Sequence, residues 1–573
     1  MPPKRSSNAS SRPSKRIRSS IIGQIGRATA EDDTARLISS RHLEEHAGGG
    51  ATYLSVRSEK ERVKSLKELS LHSAARGIYE VIRFKGTGKD TDTDKRSSVG
   101  WDPNRDATNH AEILAIQQVV QQLPEDTANR LLSLLLYLSY QALQTPNDPG
   151  VSVIAIASIF FRDRISRLSL SSLSSPAIFL NQIPQCTSLV DLDLSHSPTL
   201  SDSVLSKVLS KIPSLERINL KACVKVGDNS IKALAQASGA SLTVAQLSFT
   251  AVGVKGLTAV IGGCPLLEVL KLQSVGNLNE KNINTIVEAA TKSSSESMHI
   301  PLSNLKVLKL KFTLVTDAAL GRLLTLCAPT LTRLDVSFTQ IKSLDIISSA
   351  LHTLPDWNLE KLVASGLSLT PASMESFFRP LSERPLEERS RFKTLKLASI
   401  PDTGTKAQGM TDSVLKKLLP YWEALEGLEK LSLSGNVYLG KMREPMYSLM
   451  SKIGSKCKLL DLTSCAIDPG HLEGLLEPVT FDEDGNDHIL PAQLETLVLD
   501  STRIDDRAMI SLGICRKLKA LHVAETKITP TFLTTLLESC PDLSILNLTS
   551  CRGIPVTQRR SFFDHYEKGE VEA

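Results

Sequence analysis

Cysteine is the residue type in this chain with the widest range of chemistry, because a thiolate can bind a metal, form a disulfide or act as a nucleophile. The chain contains nine cysteines, and the segment CPDLSILNLTSCRGI (540–554) places two of them on either side of a leucine alternation. No pair has the C-x-x-C spacing that gives the strongest zinc signature, and an odd count argues against complete disulfide pairing. The role of these thiols therefore depends on where the fold places them.

Two further segments resemble ligand-binding motifs without meeting their requirements. GTGK (86–89) is not a phosphate-binding loop, because Arg83 and Asp90 occupy the positions that need a glycine and a hydroxyl residue. FDEDGNDH (481–488) lacks the glycine and glutamate spacing of a calcium loop, so we interpret it as an exposed acidic loop. The histidines are scattered and no G-x-S-x-G motif occurs. The sequence therefore predicts no catalytic residue, no metal and no cofactor.

One template, L-x-x-L-x-L, organises the chain from residue 165 onward. Most of its copies follow one another at spacings of 23 to 29 residues. Self-similarity at this period is the signature of leucine-rich repeats. The fourteen copies begin at residues 165, 189, 215, 244, 267, 305, 331, 359, 392, 428, 457, 494, 518 and 543.

The template also predicts the structure of one repeat. Alternate side chains of a strand point to opposite faces, so the leucines point inward and the intervening residues outward. A helical segment follows and returns the chain to the next strand. Because one repeat cannot bury its apolar edge alone, neighbouring repeats must stack. The predicted fold class is α/β: a leucine-rich repeat solenoid (horseshoe) with short parallel strands on the concave face, helices outside and an N-terminal helical cap.

Each cysteine then has a position in the repeat, which predicts a structural role. Thiol side chains in such places behave as small buried hydrophobes or weak backbone partners, and unpaired thiols fit a reducing compartment. Cys186, Cys264, Cys327, Cys515 and Cys540 precede a strand, Cys223, Cys465 and Cys551 follow the last leucine of a strand by three residues, and Cys457 replaces a leucine of the template.

Aspartates recur where the helices are predicted to start. A carboxylate there can accept hydrogen bonds from the free amides of the first turn and complement the helix dipole. Acid–base catalysis would need convergent carboxylates, whereas these lie about one repeat apart. We therefore interpret as helix caps the aspartates of LSDSVL (200–205), VGDNSI (226–231), VTDAAL (315–320), MTDSVL (410–415) and IDDRAM (504–509).

The units CPLLEVLKLQSVGNLNEKNI (264–283), IPSLERINLKACVKVGDNSI (212–231) and CPDLSILNLTSCRGI resemble the cysteine-containing, RNI-like subfamily of leucine-rich repeats. This repeat occurs in many F-box proteins, whose arrays hold substrates for an SCF-type ubiquitin ligase. The resemblance covers roughly residues 165–555 and implies a non-enzymatic substrate-recognition subunit. Insertions depart from the consensus around 274–304, 365–391, 399–427 and 463–493, which predicts loops that project from the array and contact partners.

QQLPEDTANRLLSLLLYLSYQAL (121–143) resembles the opening of an F-box, which implies docking on a Skp adaptor and, through it, a cullin ligase. No cysteine or tryptophan follows in VSVIAIASIFFRDRISRL (151–168), so the match is degenerate. A helical cap that covers the open edge of the first repeat is the alternative, and both roles are compatible. The candidate adaptor-docking residues are Leu123, Pro124, Leu131, Leu132, Leu135 and Leu138.

Composition divides the chain into six segments. The first segment is basic and has too few apolar residues to offset its ordering entropy. It resembles a bipartite nuclear import signal; the alternative is a solvated basic tail. The apolar runs are shorter than the roughly 20 residues of a spanning helix, so we predict no membrane association and a nuclear or cytoplasmic location. The segments are a disordered basic tail (1–50), a helical segment (51–85), a flexible linker (86–108), a helical cap or degenerate F-box-like region (109–164), the leucine-rich repeats (165–555) and a C-terminal tail (556–573).

The outward strand positions predict the binding surface. Lysine and arginine predominate among them from the third to the tenth repeat. A concave face of this charge favours an acidic or phosphorylated protein partner; an ordinary solvated face is the alternative. Nucleic acid is disfavoured because the stripe lacks aromatic residues for stacking. The candidate partner-binding residues are Arg217, Lys221, Lys271, Lys309, Lys311, Arg333, Lys361, Lys396 and Lys430.

Three functions remain open at the level of the sequence. The first is the substrate receptor of an SCF-type ligase. The second is a nuclear or cytosolic leucine-rich repeat scaffold without ligase attachment. The third is a GTPase-activating protein of the Ran type, whose repeats lack the cysteine pattern and whose chain usually ends in an acidic tail, unlike SFFDHYEKGEVEA (561–573).

Overall fold

The computed structural model describes most of the repeat region and part of the N-terminal third of the chain. The predicted basic tail (1–50), most of the predicted linker (86–108) and the C-terminal residues 560–573 lie outside the described residues. The described residues are 53–55, 66–82, 107–143, 156, 159–161, 165–171 and 177–559, the last range with gaps at 296–300, 353, 355–357, 401–408, 478, 482–486, 490 and 556.

The chain forms two compact units, one of residues 1–54 with 555–573 and one of residues 55–554. In the first unit the described residues are 53 and 54, which begin strand β1 (Tyr53–Ser55), together with 555 and 557–559. The second unit contains the repeats.

Fourteen strands of three residues form one parallel sheet in the described part of the second unit. Strands that follow one another along the chain are neighbours in the sheet, except where an antiparallel hairpin of β13 (Val479–Phe481) and β14 (Asp487–Ile489) is inserted. The parallel strands are β2 (Arg167–Ser169), β3 (Asp191–Asp193), β4 (Arg217–Asn219), β5 (Val244–Gln246), β6 (Val269–Lys271), β7 (Val307–Lys309), β8 (Arg333–Asp335), β9 (Lys361–Val363), β10 (Thr394–Lys396), β11 (Lys430–Ser432), β12 (Leu459–Asp461), β15 (Thr496–Val498), β16 (Ala520–His522) and β17 (Ile545–Asn547).

Helices connect these strands, and consecutive helices pack against one another. None of the helices that the structure describes is both long and apolar enough to cross a bilayer. Short 3₁₀ turns occur at Ile183–Gln185, Ala328–Thr330, Glu473–Leu476 and Asp506–Ala508, and a π-helical turn at Met450–Gly454. The α-helices are α1 (Leu66–Ile82), α2 (Ala107–Gln122), α3 (Glu125–Leu143), α4 (Ala177–Leu180), α5 (Asp202–Leu209), α6 (Asp228–Ser238), α7 (Val254–Gly263), α8 (Glu280–Ser295), α9 (Asp317–Cys327), α10 (Asp345–His352), α11 (Pro371–Ser382), α12 (Leu386–Arg389), α13 (Asp412–Glu423), α14 (Arg443–Leu449), α15 (Pro469–Leu472), α16 (Met509–Leu512) and α17 (Pro530–Ser539).

The central residue of each strand explains how strands of three residues form a stable sheet. This residue is buried under the helices, and the register places it opposite the central residue of the next strand, so that Leu270 faces Leu308 and Leu308 faces Leu334. Truncating such a leucine to alanine typically costs about 2–5 kcal/mol of stability. Inward leucines on parallel strands, alternating with helices, confirm the predicted α/β leucine-rich repeat solenoid.

Two of the four predicted insertions form helices in the part of the chain that the structure describes, rather than projecting loops. The region 274–304 contains the long helix α8, and 365–391 contains α11 and α12. Phe377 and Phe378 of α11 are fully buried, and Phe378 packs edge-on against Trp422 of α13 with ring centroids 5.6 Å apart. The described extra residues of these two insertions are therefore largely helical, and the apolar side chains of α11 are buried.

The aspartates at the helix starts have a different role from the predicted one. Each is the first residue of its own helix, and its carboxylate accepts hydrogen bonds from the start of the next repeat's helix. Asp228 of α6 accepts from the Gly253 and Gly256 amides at 2.7 and 2.8 Å, before and within α7. Asp202, Asp317, Asp412 and Asp506 make the equivalent contact across one repeat boundary. Only in IDDRAM does a second aspartate, Asp505, also cap its own turn, by accepting from the Arg507 amide.

The hydrogen bonds at this position lower the pKa of an aspartate. Although burial acts to raise the pKa of Asp202, hydrogen bonds from the Ser230 hydroxyl and amide and from the Gly227 amide together hold that pKa below its ordinary value. The charged carboxylate is therefore the form that the folded state prefers. The aspartates join neighbouring repeats rather than closing single helices.

Helices α1, α2 and α3 precede the repeats. α1 packs on α3, and α3 contacts strand β2. Glu125, the first residue of α3, accepts the Ser166 and Arg167 amides at 3.0 and 2.7 Å. These amides lie at the start of β2, the edge strand on this side of the sheet in the described unit. Burial acts to raise the pKa of Glu125, but the hydrogen bonds from Ser166 and Arg167 lower it overall.

Candidate functional site

The open face of the sheet carries the first and third residues of every parallel strand. Their side chains are mostly half-exposed, whereas the central residue between them is buried. The residue two positions after each strand follows the same alternation and extends this surface. We call these three rows of residues the open sheet face.

The register of β6 and β7 places two lysines at opposite positions. Lys271 and Lys309 are opposite one another in adjacent strands, and Lys311 follows Lys309 on the same face. Like charges at directly opposite positions repel. The Lys271 ammonium donates a hydrogen bond to Gln246 Oε1 at 2.9 Å, and Lys309 is next in register to the buried Asp335. We call Lys271, Lys309 and Lys311 the central lysines.

The predicted first-position cations extend this charge toward the following repeats. Arg333 is opposite Lys361 in the register, and its guanidinium lies 3.7 Å from the Glu360 carboxylate. Lys430 lies one strand beyond Thr394 in the same row. Lys396 belongs to the third-position row. Seven of the nine candidate cations therefore occupy the face from β6 to β11.

Arg217 and Lys221 are separated from this group. Strand β5, which carries uncharged residues on the open face, lies between them and the central lysines. The Arg217 guanidinium donates to Asp191 at 2.9 Å on the preceding strand, so an internal carboxylate balances its charge. The basic residues of the third repeat are therefore separated by β5 from those that begin at β6.

The open sheet face becomes acidic toward its C-terminal end. Asp500, two residues after β15, is half-buried and accepts the Ala524 amide at 2.7 Å. Burial, aided by the carboxylates of Asp461 and Glu525, raises the pKa of Asp500 to about 6. Burial also lowers the pKa of the neighbouring His522. The middle of this surface, from β6 to β11, and its C-terminal end thus suit groups of opposite charge.

Aromatic side chains flank the basic part of the face, which the sequence interpretation missed. Phe249, Phe312 and Phe338 occupy the residue after the third row, where the backbone has a positive φ of 55 to 58°. The rings of Phe312 and Phe338 stack at a centroid separation of 4.6 Å. The sequence signal is the recurring FT in LSFT (247–250), LKFT (310–313) and VSFT (336–339), which lies outside the template L-x-x-L-x-L.

Several cysteines donate hydrogen bonds from one repeat to the preceding one. In the position three residues after the last strand leucine, Cys223 and Cys551 donate to the carbonyls of Leu194 and Val523 in the preceding repeat, at 3.1 and 3.0 Å. Asn436 in the same position donates to Leu397 of the preceding repeat at 2.9 Å. Threonines there bond within their own repeat instead, as Thr313 does to the Leu310 carbonyl. Threonine at this position was not recognised in the sequence.

All nine cysteines are buried, and no disulfide links any of them. Burial raises the pKa of Cys264, Cys327 and Cys515 to about 12. A thiol at that pKa is almost entirely protonated at neutral pH, and the thiolate is the nucleophilic form. Among the residues that the structure describes, no cluster of His, Cys, Asp or Glu side chains could hold a metal ion.

The candidate adaptor-docking residues are only partly accessible. Leu131, Leu132 and Leu135 are buried, so they hold α3 in place. Leu123 and Leu138 are half-buried, and Pro124 is exposed. Among the residues of α2 and α3 whose burial the structure describes, the exposed large apolar side chains are ones that the F-box resemblance does not include. These are Leu114, Val119 and Tyr137, which are 43%, 61% and 45% exposed.

No family model and no curated protein sequence matches this chain. An internalin of Listeria monocytogenes has a TM-score of 0.39 and 17% identity, over 72% of this chain and 94% of that one. A yeast structure of the Rad7 and Elc1 complex gives a TM-score of 0.41 and 16% identity, over 80% and 95%. A leucine-rich repeat protein of Leptospira interrogans gives 0.37 and 15%, over 76% and 94%. These similarities concern the fold alone. The described architecture, with parallel strands alternating with helices, is that of an α/β leucine-rich repeat solenoid.

Proposed function

We propose that this protein is a binding module, not an enzyme, that recognises an acidic or phosphorylated segment of a partner protein on the open sheet face. The observation that carries the proposal is the register of β6 and β7, which places Lys271 opposite Lys309. Anionic groups of a partner would relieve this repulsion and gain charge-assisted hydrogen bonds. Arg333, Lys361, Lys396 and Lys430 would extend the contact along the following strands.

Reversing the charge of the central lysines tests this proposal. The triple variant Lys271→Glu, Lys309→Glu and Lys311→Glu is expected to bind a fluorescein-labelled oligoglutamate peptide about tenfold more weakly at low salt, because each exposed ion pair contributes about 0.2–1 kcal/mol. Fluorescence anisotropy measures the affinity. The matched control, with Lys225, Lys255 and Lys281 replaced by glutamate, has the same net charge and places the change at exposed positions away from the face. Equal weakening in both variants would show non-specific attraction and overturn the proposal.

The more specific proposal is that the protein is the substrate-recognition subunit of an SCF-type ubiquitin ligase in the nucleus or cytoplasm. The resemblance of residues 121–143 to an F-box and the exposed Val119 and Tyr137 of α2 and α3 support it. Glu125, which occupies the edge amides of β2, supports the parallel role of α3 as a helical cap. A scaffold without ligase attachment and a Ran-type GTPase-activating protein are the alternatives.

Retention of a purified Skp adaptor by the full-length protein tests the ligase attachment. We expect retention by the wild type and its loss when Val119 and Tyr137 are both replaced by aspartate, because an interface core excludes unpaired charges. Leu266→Asp, at a residue that is 46% exposed in the repeats, should leave retention unchanged. A wild-type protein that fails to retain the adaptor would favour the scaffold without ligase attachment.

A further inference from the structure

The stacked rings beside the central lysines form a second recognition element. Phe338 is 38% exposed, although buried aromatic rings are a large source of stability. Positive φ is rare for a bulky residue, and both Phe312 and Phe338 adopt it, at 58 and 55°. Serine occupies the same position with the same φ in other repeats (Ser274, Ser399, Ser464, Ser501 and Ser550). The fold therefore does not require an aromatic side chain here.

Contacts on both sides hold the Phe338 ring in place. Phe312 of the preceding repeat stacks on it. Gly366 of the following repeat, at a φ of +67°, leaves room for it, because a Cβ at Gly366 would lie 2.3 Å from Cδ1 of the ring. The ring is thus enclosed between its neighbours, and a partner reaches its edge more readily than its face.

A cation completes the element. The Lys311 ammonium lies 5.3 Å from the centroid of Phe312 and 5.6 Å from that of Phe338. It therefore joins the aromatic pair to the central lysines of the open sheet face. Two residues after Phe312, Leu314 is 47% exposed and adds apolar surface on the same turn.

We infer that the Phe312–Phe338 pair is a specificity-determining contact. It selects an acidic partner segment that carries an aromatic side chain next to its carboxylates. The partner ring would pack edge-to-face against the pair, a favoured aromatic geometry, while the adjacent carboxylate reaches Lys311. Charge complementarity with the central lysines selects an acidic peptide. Stacked nucleic-acid bases need open aromatic faces, whereas Phe312 stacks on one face of Phe338 and Gly366 lies close to the ring. This inference rests on the proposed function and adds the aromatic residue to it.

The test compares two labelled peptides on the full-length protein. One is an acidic peptide of glutamate and aspartate with a single central phenylalanine, and the other has serine in place of that phenylalanine. The wild type is expected to bind the phenylalanine peptide about tenfold more tightly, from one aromatic contact and its buried area. Phe338→Ser should remove this preference. Phe249→Ser, at the same turn position with the same φ but two repeats before Phe312, should keep it.

Gly366→Ala provides a second variant in which Phe338 itself is unchanged. The added methyl group would displace the ring, so the preference for the phenylalanine peptide should fall toward that of Phe338→Ser. Equal affinity of the wild type for the two peptides would overturn this inference. The proposed function would still stand if charge reversal of the central lysines weakened the binding of both peptides. If neither peptide bound, the proposed function would fail as well. Tighter binding of an oligouridylate, weakened by Phe338→Ser, would assign the element to single-stranded nucleic acid instead.

Discussion

Asp412→Ala is expected to lower the free energy of unfolding by about 3 kcal/mol, because it leaves two amides without an acceptor at a repeat boundary. The Asp412 carboxylate is buried and accepts the amides of Gly440 and Met442, each at 2.7 Å. These amides precede α14, so the start of that helix depends on a side chain from the repeat before it. Urea denaturation measures the effect, and hydrogen exchange at the two amides locates it.

Asp317→Ala is the matched control for this substitution. Asp317 has the same position in its repeat, but its bonds to the Lys342 and Ser343 amides are longer, at 3.1 to 3.3 Å, and the one to Lys342 is exposed. Water can replace an exposed partner, so its loss should cost less than half as much. Equal losses for the two variants, or unchanged exchange at Gly440 and Met442, would contradict the role assigned to Asp412.

Asp500→Asn is expected to stabilise the protein at pH 7.4 by about 2 kcal/mol. The pKa of Asp500 is raised to about 6 in the folded state, first by burial and then by neighbouring carboxylates. An aspartate in the unfolded chain titrates near its ordinary pKa of about 3.9. At a pH between these two pKa values, the folded state binds more protons than the unfolded state. Wild-type stability therefore falls as the pH rises from about 4 to 6. The figure of 2 kcal/mol includes an allowance for solvent screening of this half-buried group.

The asparagine variant removes this penalty while its Oδ1 can still accept the Ala524 amide. Its advantage over the wild type should therefore shrink as the pH falls and vanish near pH 4, where Asp500 is protonated in the folded wild type. Thermal denaturation across this pH range measures the difference. The control Asp542→Asn alters an exposed carboxylate and should change little. A stabilisation by Asp500→Asn that stays constant with pH would show that proton binding is not its cause.

The fold was predictable because the leucine alternation is repeated in every unit. Inward residues such as Leu308 follow from the period of a strand, and parallel stacking follows from the inability of one unit to bury them. The role of Asp228 was not predictable from a single repeat, because its carboxylate accepts hydrogen bonds from amides of the next repeat. The order of neighbouring repeats had to be known before Gly253 could be identified as its partner.

The candidate site was predictable in composition and less so in arrangement. The outward positions of Lys271 and Lys309 follow from the alternation, but their opposition depends on the register. Arg217 looked equivalent to them, yet the register places Asp191 beside it. The Phe312–Phe338 pair lies one residue beyond the positions that the template describes, so the prediction that aromatic side chains are lacking overlooked it.

The bonds that aspartates such as Asp228 and Asp412 make across repeat boundaries give this array a direction. Every such bond runs from a carboxylate in one repeat to amides in the repeat that follows it. Removing the repeats that follow such an aspartate leaves its carboxylate in water, which hydrates it well. Removing the repeat that contains the aspartate leaves the amides of the next helix without their acceptor. Truncation from the C-terminus, by gene rearrangement or by proteolysis, would thus be tolerated better than truncation from the N-terminus.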